Sequence, residues 1–152
     1  MDNERRRFEL LGEVKRLARE YRELTGRPLG VTGEVAEYEA ARFLGLELAA
    51  VRQAGYDAIR ATTEGSQRLQ IKGRCILPNS KPGQRVGGIN LDKEWDAVLL
   101  VLLDDRYDAT AMYEADRAAV EAALLAPGSK ARNERGSLAV SQFKSIGWSI
   151  WP

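Results

Sequence analysis

Residues 56–76 run YDAIRATTEGSQRLQIKGRCI, and their rhythm decides the fold. The apolar period here is two. Tyr56 to Ala61 alternates as a short strand, Thr62 to Ser66 turns around Gly65, and Arg68 to Ile76 returns as a second strand. Together they predict a β-hairpin. Downstream, Trp95 to Leu103 is almost continuously apolar, which predicts a central strand covered on both faces. Residues 77–94 separate the two and are punctuated by Pro78, Pro82, Gly83, Gly87 and Gly88. Such a long loop is commonly functional or mobile.

Upstream the period becomes helical. Phe8, Leu11, Val14, Leu17, Ala18, Tyr21 and Leu24 predict an amphipathic helix over about 4–25, closed by Gly26 and Pro28. Arg16/Glu20 and Arg19/Glu23 are spaced for pairing along it. Its mixed charge suits an arm packed on its own domain or on a twin subunit better than a DNA-binding helix. A second helix is expected over 33–44, with Thr32 as N-cap, Val35, Tyr38, Ala41 and Leu44 as its apolar stripe, and Gly45 as its end.

After the apolar run, a strand is expected over Ala109–Tyr113 and a helix over 116–125, capped by Asp116 and stopped by Pro127-Gly128. A basic loop follows over 128–136, then a strand or turn near Leu138–Val140 and a helical turn around Gln142–Ile146. Trp148 and Trp151 are expected in the core or at a subunit contact. The order predicts a mixed α/β (α+β) sheet flanked by helices. The division is an N-terminal helix over 1–28 and a domain over 29–152.

Composition narrows the chemistry. The chain has 152 residues, 23 Lys+Arg against 22 Asp+Glu, one cysteine and no histidine. Ser-His-Asp triads, Cys-His pairs and His-containing zinc sites are excluded, and so are intrachain disulfides. What remains is carboxylate, Lys, Arg, Tyr or Ser chemistry, with an oxygen-liking ion such as magnesium admissible. The N-terminus lacks the apolar stretch of a secretory signal, and no run approaches the ~20 residues of a membrane span. A cytoplasmic protein is expected, with Cys75 reduced.

Asp57 opens the first hairpin strand, and Gln70 and Lys72 lie two apart on the next, pointing to one face. Charge in a sheet needs a partner. A plain Asp57–Lys72 ion pair supplies one reason for this placement. A metal site supplies another: a carboxylate, an oxygen ligand and a backbone carbonyl hold an ion, and Lys72 offsets charge in a phosphodiester transition state. Glu34 and Glu37, three apart on the helix before the hairpin, offer a further carboxylate.

Gly33-Glu34 on a helix, Gly55-Tyr56-Asp57 opening a strand and Gln70-Ile71-Lys72 on the next resemble the PD-(D/E)XK nuclease superfamily. The pattern is nearest to Mrr-type restriction endonucleases, with their Gln-x-Lys motif, and is similar to archaeal Holliday junction resolvases and small bacterial domains of this kind. It covers roughly residues 30–125. The resemblance implies a restriction-endonuclease-like fold and a magnesium- or manganese-dependent nuclease. It implies Asp57 as metal ligand, Lys72 as catalytic lysine, Gln70 in place of the second acidic ligand, the Ile71 carbonyl as a further donor, and Glu34 or Glu37 assisting on the metal side. Tyr56 stands where many members have proline. Gln70, a neutral amide, binds magnesium less strongly than a carboxylate, so an inactive relative that binds nucleic acid or a protein partner in a restriction or defence assembly is the alternative.

The near-neutral balance hides segregation. Arg68, Lys72, Arg74, Lys81 and Arg85 fall in residues 65–91 with no acid among them, and Lys130, Arg132, Arg135 and Lys144 fall in 127–144 beside Glu134 alone. The acid-rich stretch 92–121 cancels them. Arg68, Arg74, Lys81, Arg85, Lys130, Arg132 and Arg135 are therefore the expected contacts to a DNA backbone, whose binding weakens with salt. A homodimer through the first helix or the C-terminal tryptophans is the other expected association.

Overall fold

The computed structural model describes residues 2–50 and 55–152. Helices α1 (Asn3–Thr25) and α2 (Thr32–Leu44) lead into strands β1 (Glu47–Leu48), β2 (Ala58–Thr62), β3 (Gly65–Cys75), β4 (Ala97–Leu103) and β5 (Ala109–Asp116). Then follow α3 (Arg117–Leu125), α4 (Lys130–Asn133), α5 (Val140–Ile146) and β6 (Trp148–Trp151). The six strands form one sheet in sequence order. Only β3 and β4 run parallel; all other neighbours are antiparallel. Parallel pairing needs a long crossover, and the proline- and glycine-rich loop after β3 provides it. This is the expected mixed α/β sheet with a long N-terminal helix.

Each face of the sheet carries its own core. Leu69, Ile71, Leu99, Val101 and Leu103 meet Val35, Ala36 and Ala40 of α2 and Ala18 of α1. Val98, Leu100 and Leu102 meet Trp95, Val120, Leu124 and Phe143 on the other side. All seven residues of β4 are buried, as an apolar run without alternation requires. The first helix packs into the first core and stacks Phe8 on Tyr38 at 4.8 Å, so it is built into the domain rather than detached from it.

Several boundaries depart from expectation. Thr32 is the first residue of α2, not its cap; Val31 takes that place and offers no side-chain hydrogen bond. The first hairpin strand begins at Ala58 rather than Tyr56, because Asp57 turns into the ladder just ahead of it. The turn is tighter than expected, since Thr62 pairs directly with Gly65. β5 extends to Asp116, which caps α3 by accepting the Ala119 amide at 2.8 Å. The basic loop contains the short α4, and the tryptophan tail is an edge strand on β5. Trp151 rests on Phe43 at 4.5 Å, while Trp148 is exposed.

Gly73 sets the height of α2 above the sheet. A Cβ there would stand 2.6 Å from the Ala36 Cβ and 3.1 Å from the Thr32 carbonyl. Close contact between the first turns of α2 and β3 places Glu34 and Glu37 beside the hairpin. Gly73→Val therefore costs about 1–3 kcal/mol by overpacking, read as a lower melting temperature, while Gly33→Ala, which meets nothing within 4 Å, leaves it nearly unchanged.

Candidate active site

Asp57 joins the ladder through its backbone and its side chain. Its amide donates to the Leu69 carbonyl at 2.8 Å, and its carbonyl accepts from Ala49 at 2.8 Å. Its Oδ2 takes the Ile71 amide, also at 2.8 Å. One carboxylate oxygen is thus committed to holding the side chain at the mouth of the hairpin. The expected Asp57–Lys72 ion pair is not formed. Lys72 instead donates to the Gly88 carbonyl in the crossover loop at 2.8 Å.

Gln70 is only 7% exposed. Its Nε2 donates to the Gly55 carbonyl at 2.9 Å. Among the described residues, its buried Oε1 has no hydrogen-bond partner. An orphaned acceptor of this kind costs about 1–3 kcal/mol. A hydrogen-bond donor or a cation would satisfy it.

Electrostatics tie Glu37, Asp57 and Lys72 into one cluster. Burial pushes the Glu37 carboxyl up to about 7, helped by the Asp57 and Glu34 charges and opposed by Arg7. Burial lowers the Lys72 ammonium from its ordinary range, the Asp57 charge works against that, and Arg74 reinforces it. Asp57 therefore lies between a reluctant carboxylate and a reluctant ammonium. Glu34 is exposed, and Glu37 is the half-buried member of the pair. The spacing of the two offered no means of choosing between them; burial against the hairpin separates them.

Among the described residues, no three His, Cys, Asp or Glu side chains are grouped to hold a metal ion. The donors here are two carboxyls and an amide, with the Ile71 carbonyl as the fourth expected group. This set of oxygen donors suits magnesium or manganese. The mutual influence of the Glu37 and Asp57 charges is the feature that a cation near them would relieve.

The raised Glu37 carboxyl has a thermodynamic signature. Between its ordinary value of 4.5 and its folded value of about 7, the native state holds a proton that the unfolded chain has lost. Stability in chelator therefore falls as pH rises through that window. Glu37→Gln should flatten this part of the profile and raise the denaturation midpoint at pH 8 in chelator. An unchanged slope between pH 5 and 7 would remove Glu37 from the cluster.

The basic residues divide. Arg68 is bound to Asp96, at 3.3 Å, and to Glu94, at 3.1 Å. Arg74 donates to the Arg85 carbonyl, and Arg85 donates to the Ser137 carbonyl. Arg132 closes the end of α3 by donating to Ala126 and Pro127. Lys81, Lys130 and Arg135 are exposed, Lys130 standing 3.9 Å from Glu134. Charge counting could not separate these groups, because carbonyl partners leave no mark in composition. No helix among the described residues is long and apolar enough to cross a membrane. No protein-family model and no curated protein matches the chain.

Proposed function

We propose that this protein is a magnesium- or manganese-dependent nuclease of the PD-(D/E)XK kind that hydrolyses DNA phosphodiester bonds. The observation that carries this reading is the electrostatic coupling of Asp57 to the half-buried Glu37 and Lys72, with the buried Gln70 amide on the same strand face as Lys72. Support also comes from the arrangement of α2, an antiparallel hairpin and a parallel β4, the framework that the resemblance implies.

Asp57, Glu37 and Gln70 would hold the ion, with the Ile71 carbonyl completing the set and Glu34 assisting from the exposed turn. A bound divalent ion supplies charge neutralisation at the phosphate and a more acidic attacking water. Asp57 is kept in place by the Ile71 amide, which engages one of its two oxygens. Glu37 gives up its proton near neutral pH. Lys72 leaves the Gly88 carbonyl and donates to a non-bridging phosphate oxygen as negative charge grows there. Lys130 and Arg135 are exposed and suited to the sequence-independent share of backbone binding. The half-buried Cys75 fits a reducing cytoplasm, and exposed Leu10, Leu17 and Leu24 on α1 support self-association through that helix. Supercoiled plasmid should be nicked with magnesium or manganese and left intact in chelator; no nicking in either metal at high enzyme concentration contradicts the proposal.

The neutral amide at Gln70, and the absence of a third grouped carboxylate among the described residues, favour one other reading, a domain that binds nucleic acid without cutting. Calorimetry separates the two. The non-cutting domain shows no manganese affinity and retains DNA binding whose logarithm falls linearly with the logarithm of salt.

A further inference from the structure

A cavity of about 650 Å³ opens past the carboxyl ends of the parallel pair β3–β4, between the crossover loop and α5. Its apolar wall comes from Ile76, Leu77, Leu102, Ala111 and Val140. Lys81 and Lys144 are its charged lining residues, and no acidic residue lines it. Lys144 stands 5.2 Å above the Tyr113 ring, which steadies its ammonium beside the opening. Among the described residues, no hydrogen bond engages the side chains of Lys81, Gln84, Ser141 or Lys144, whereas Ser80 and Thr110 are satisfied by backbone groups. The volume lies within the range of small-molecule sites, and an apolar wall with a few converging polar groups is their usual construction.

We infer that this cavity binds a small amphipathic anion, with a flat or branched apolar body against Leu102, Ala111 and Val140 and one anionic group between Lys81 and Lys144. The cavity is separate from the Asp57 cluster, and Lys144, unlike Lys81, is not among the expected contacts to a DNA backbone. An aryl carboxylate and a nucleoside monophosphate share this chemistry.

The test is a fluorescence titration of the full chain with 8-anilinonaphthalene-1-sulfonate, an aromatic body carrying one sulfonate. Saturable binding of one probe per chain is expected. Removing both ammonium groups (Lys81→Ala with Lys144→Ala) should weaken it about tenfold, the sum of two exposed ion pairs. The uncharged analogue N-phenyl-1-naphthylamine should be affected far less. Ala111→Trp, which fills the wall, should abolish probe binding; Ser141→Trp at the exposed rim serves the same end if the first variant does not fold. Displacement by adenosine monophosphate but not by naphthoate assigns a nucleotide, and the reverse assigns a carboxylate. Probe binding unchanged in natively folded lysine and filling variants overturns the inference.

Discussion

Lys72→Ala and Asp57→Ala should each lower metal-dependent DNA cutting by at least about 10²-fold, the scale of losing one group that stabilises transition-state charge. The two losses should differ in kind. Asp57→Ala removes a metal donor and leaves the Ile71 amide without its acceptor, so manganese affinity in calorimetry falls with activity. Lys72→Ala removes a partially desolvated ammonium whose native partner is only the Gly88 carbonyl. Manganese affinity should survive, or increase as a competing positive charge is lost, while cutting disappears. Lys72→Arg should not restore cutting, because a planar guanidinium does not replace a compact ammonium. Cutting by Lys72→Ala and Asp57→Ala at the wild-type rate removes the catalytic assignment.

The largest stability effect is expected at Glu39, two residues along α2 from Glu37 but engaged with α1 and β5. Its side chain is 1% exposed and accepts from Lys15 at 3.1 Å and from Arg42 at 2.9 Å. Its other oxygen takes the Ala109 amide at 3.0 Å. Lys15 also meets Asp108 at 2.8 Å, and Arg19 meets the same carboxylate at 2.8 Å. One buried carboxylate therefore joins α1, α2 and the start of β5. Glu39→Ala removes one of the two carboxylate partners of the largely buried Lys15 ammonium, takes a partner from Arg42 and leaves the Ala109 amide without its acceptor. The expected loss is about 3–5 kcal/mol, or roughly 2–4 °C in melting temperature for each kcal/mol at this size. Glu34→Ala, on the exposed turn of the same helix, should shift denaturant midpoints little. Equal midpoints for Glu39→Ala and the wild type would contradict the network.

The elements legible in the sequence are those whose periodicity is strong and local. The α1 stripe, the alternation around Gly65 and the unbroken run through β4 each point to one element type. Asp116 and Pro127-Gly128 mark the limits of α3 by capping and breaking. The edge strand Trp148–Trp151 escaped because it is short and half-exposed, so its alternation has little apolar contrast. α4 spans one turn and carries no apolar stripe. Thr32 was misplaced as a cap because residue type alone does not say where helical backbone begins.

The candidate site was legible as a set of residue types, not as a set of contacts. Asp57, Gln70 and Lys72 follow from strand spacing. That Asp57 clamps the Ile71 amide, that Lys72 reaches across the crossover to Gly88, and that Gln70 leaves one oxygen unpaired are tertiary facts. The choice of Glu37 over Glu34 is of the same kind. Likewise, Arg68, Arg85 and Arg132 counted as cationic surface until their carboxylate and carbonyl partners were seen.

The central claim is that Glu37, Asp57 and Gln70 form a divalent-metal site next to Lys72. A crystal of the protein soaked in manganese and measured for anomalous scattering tests this most directly. One anomalous peak in contact with Asp57, Glu37 and the Gln70 oxygen is expected. Manganese elsewhere or absent, with those side chains ordered, would show that these residues do not form a metal site.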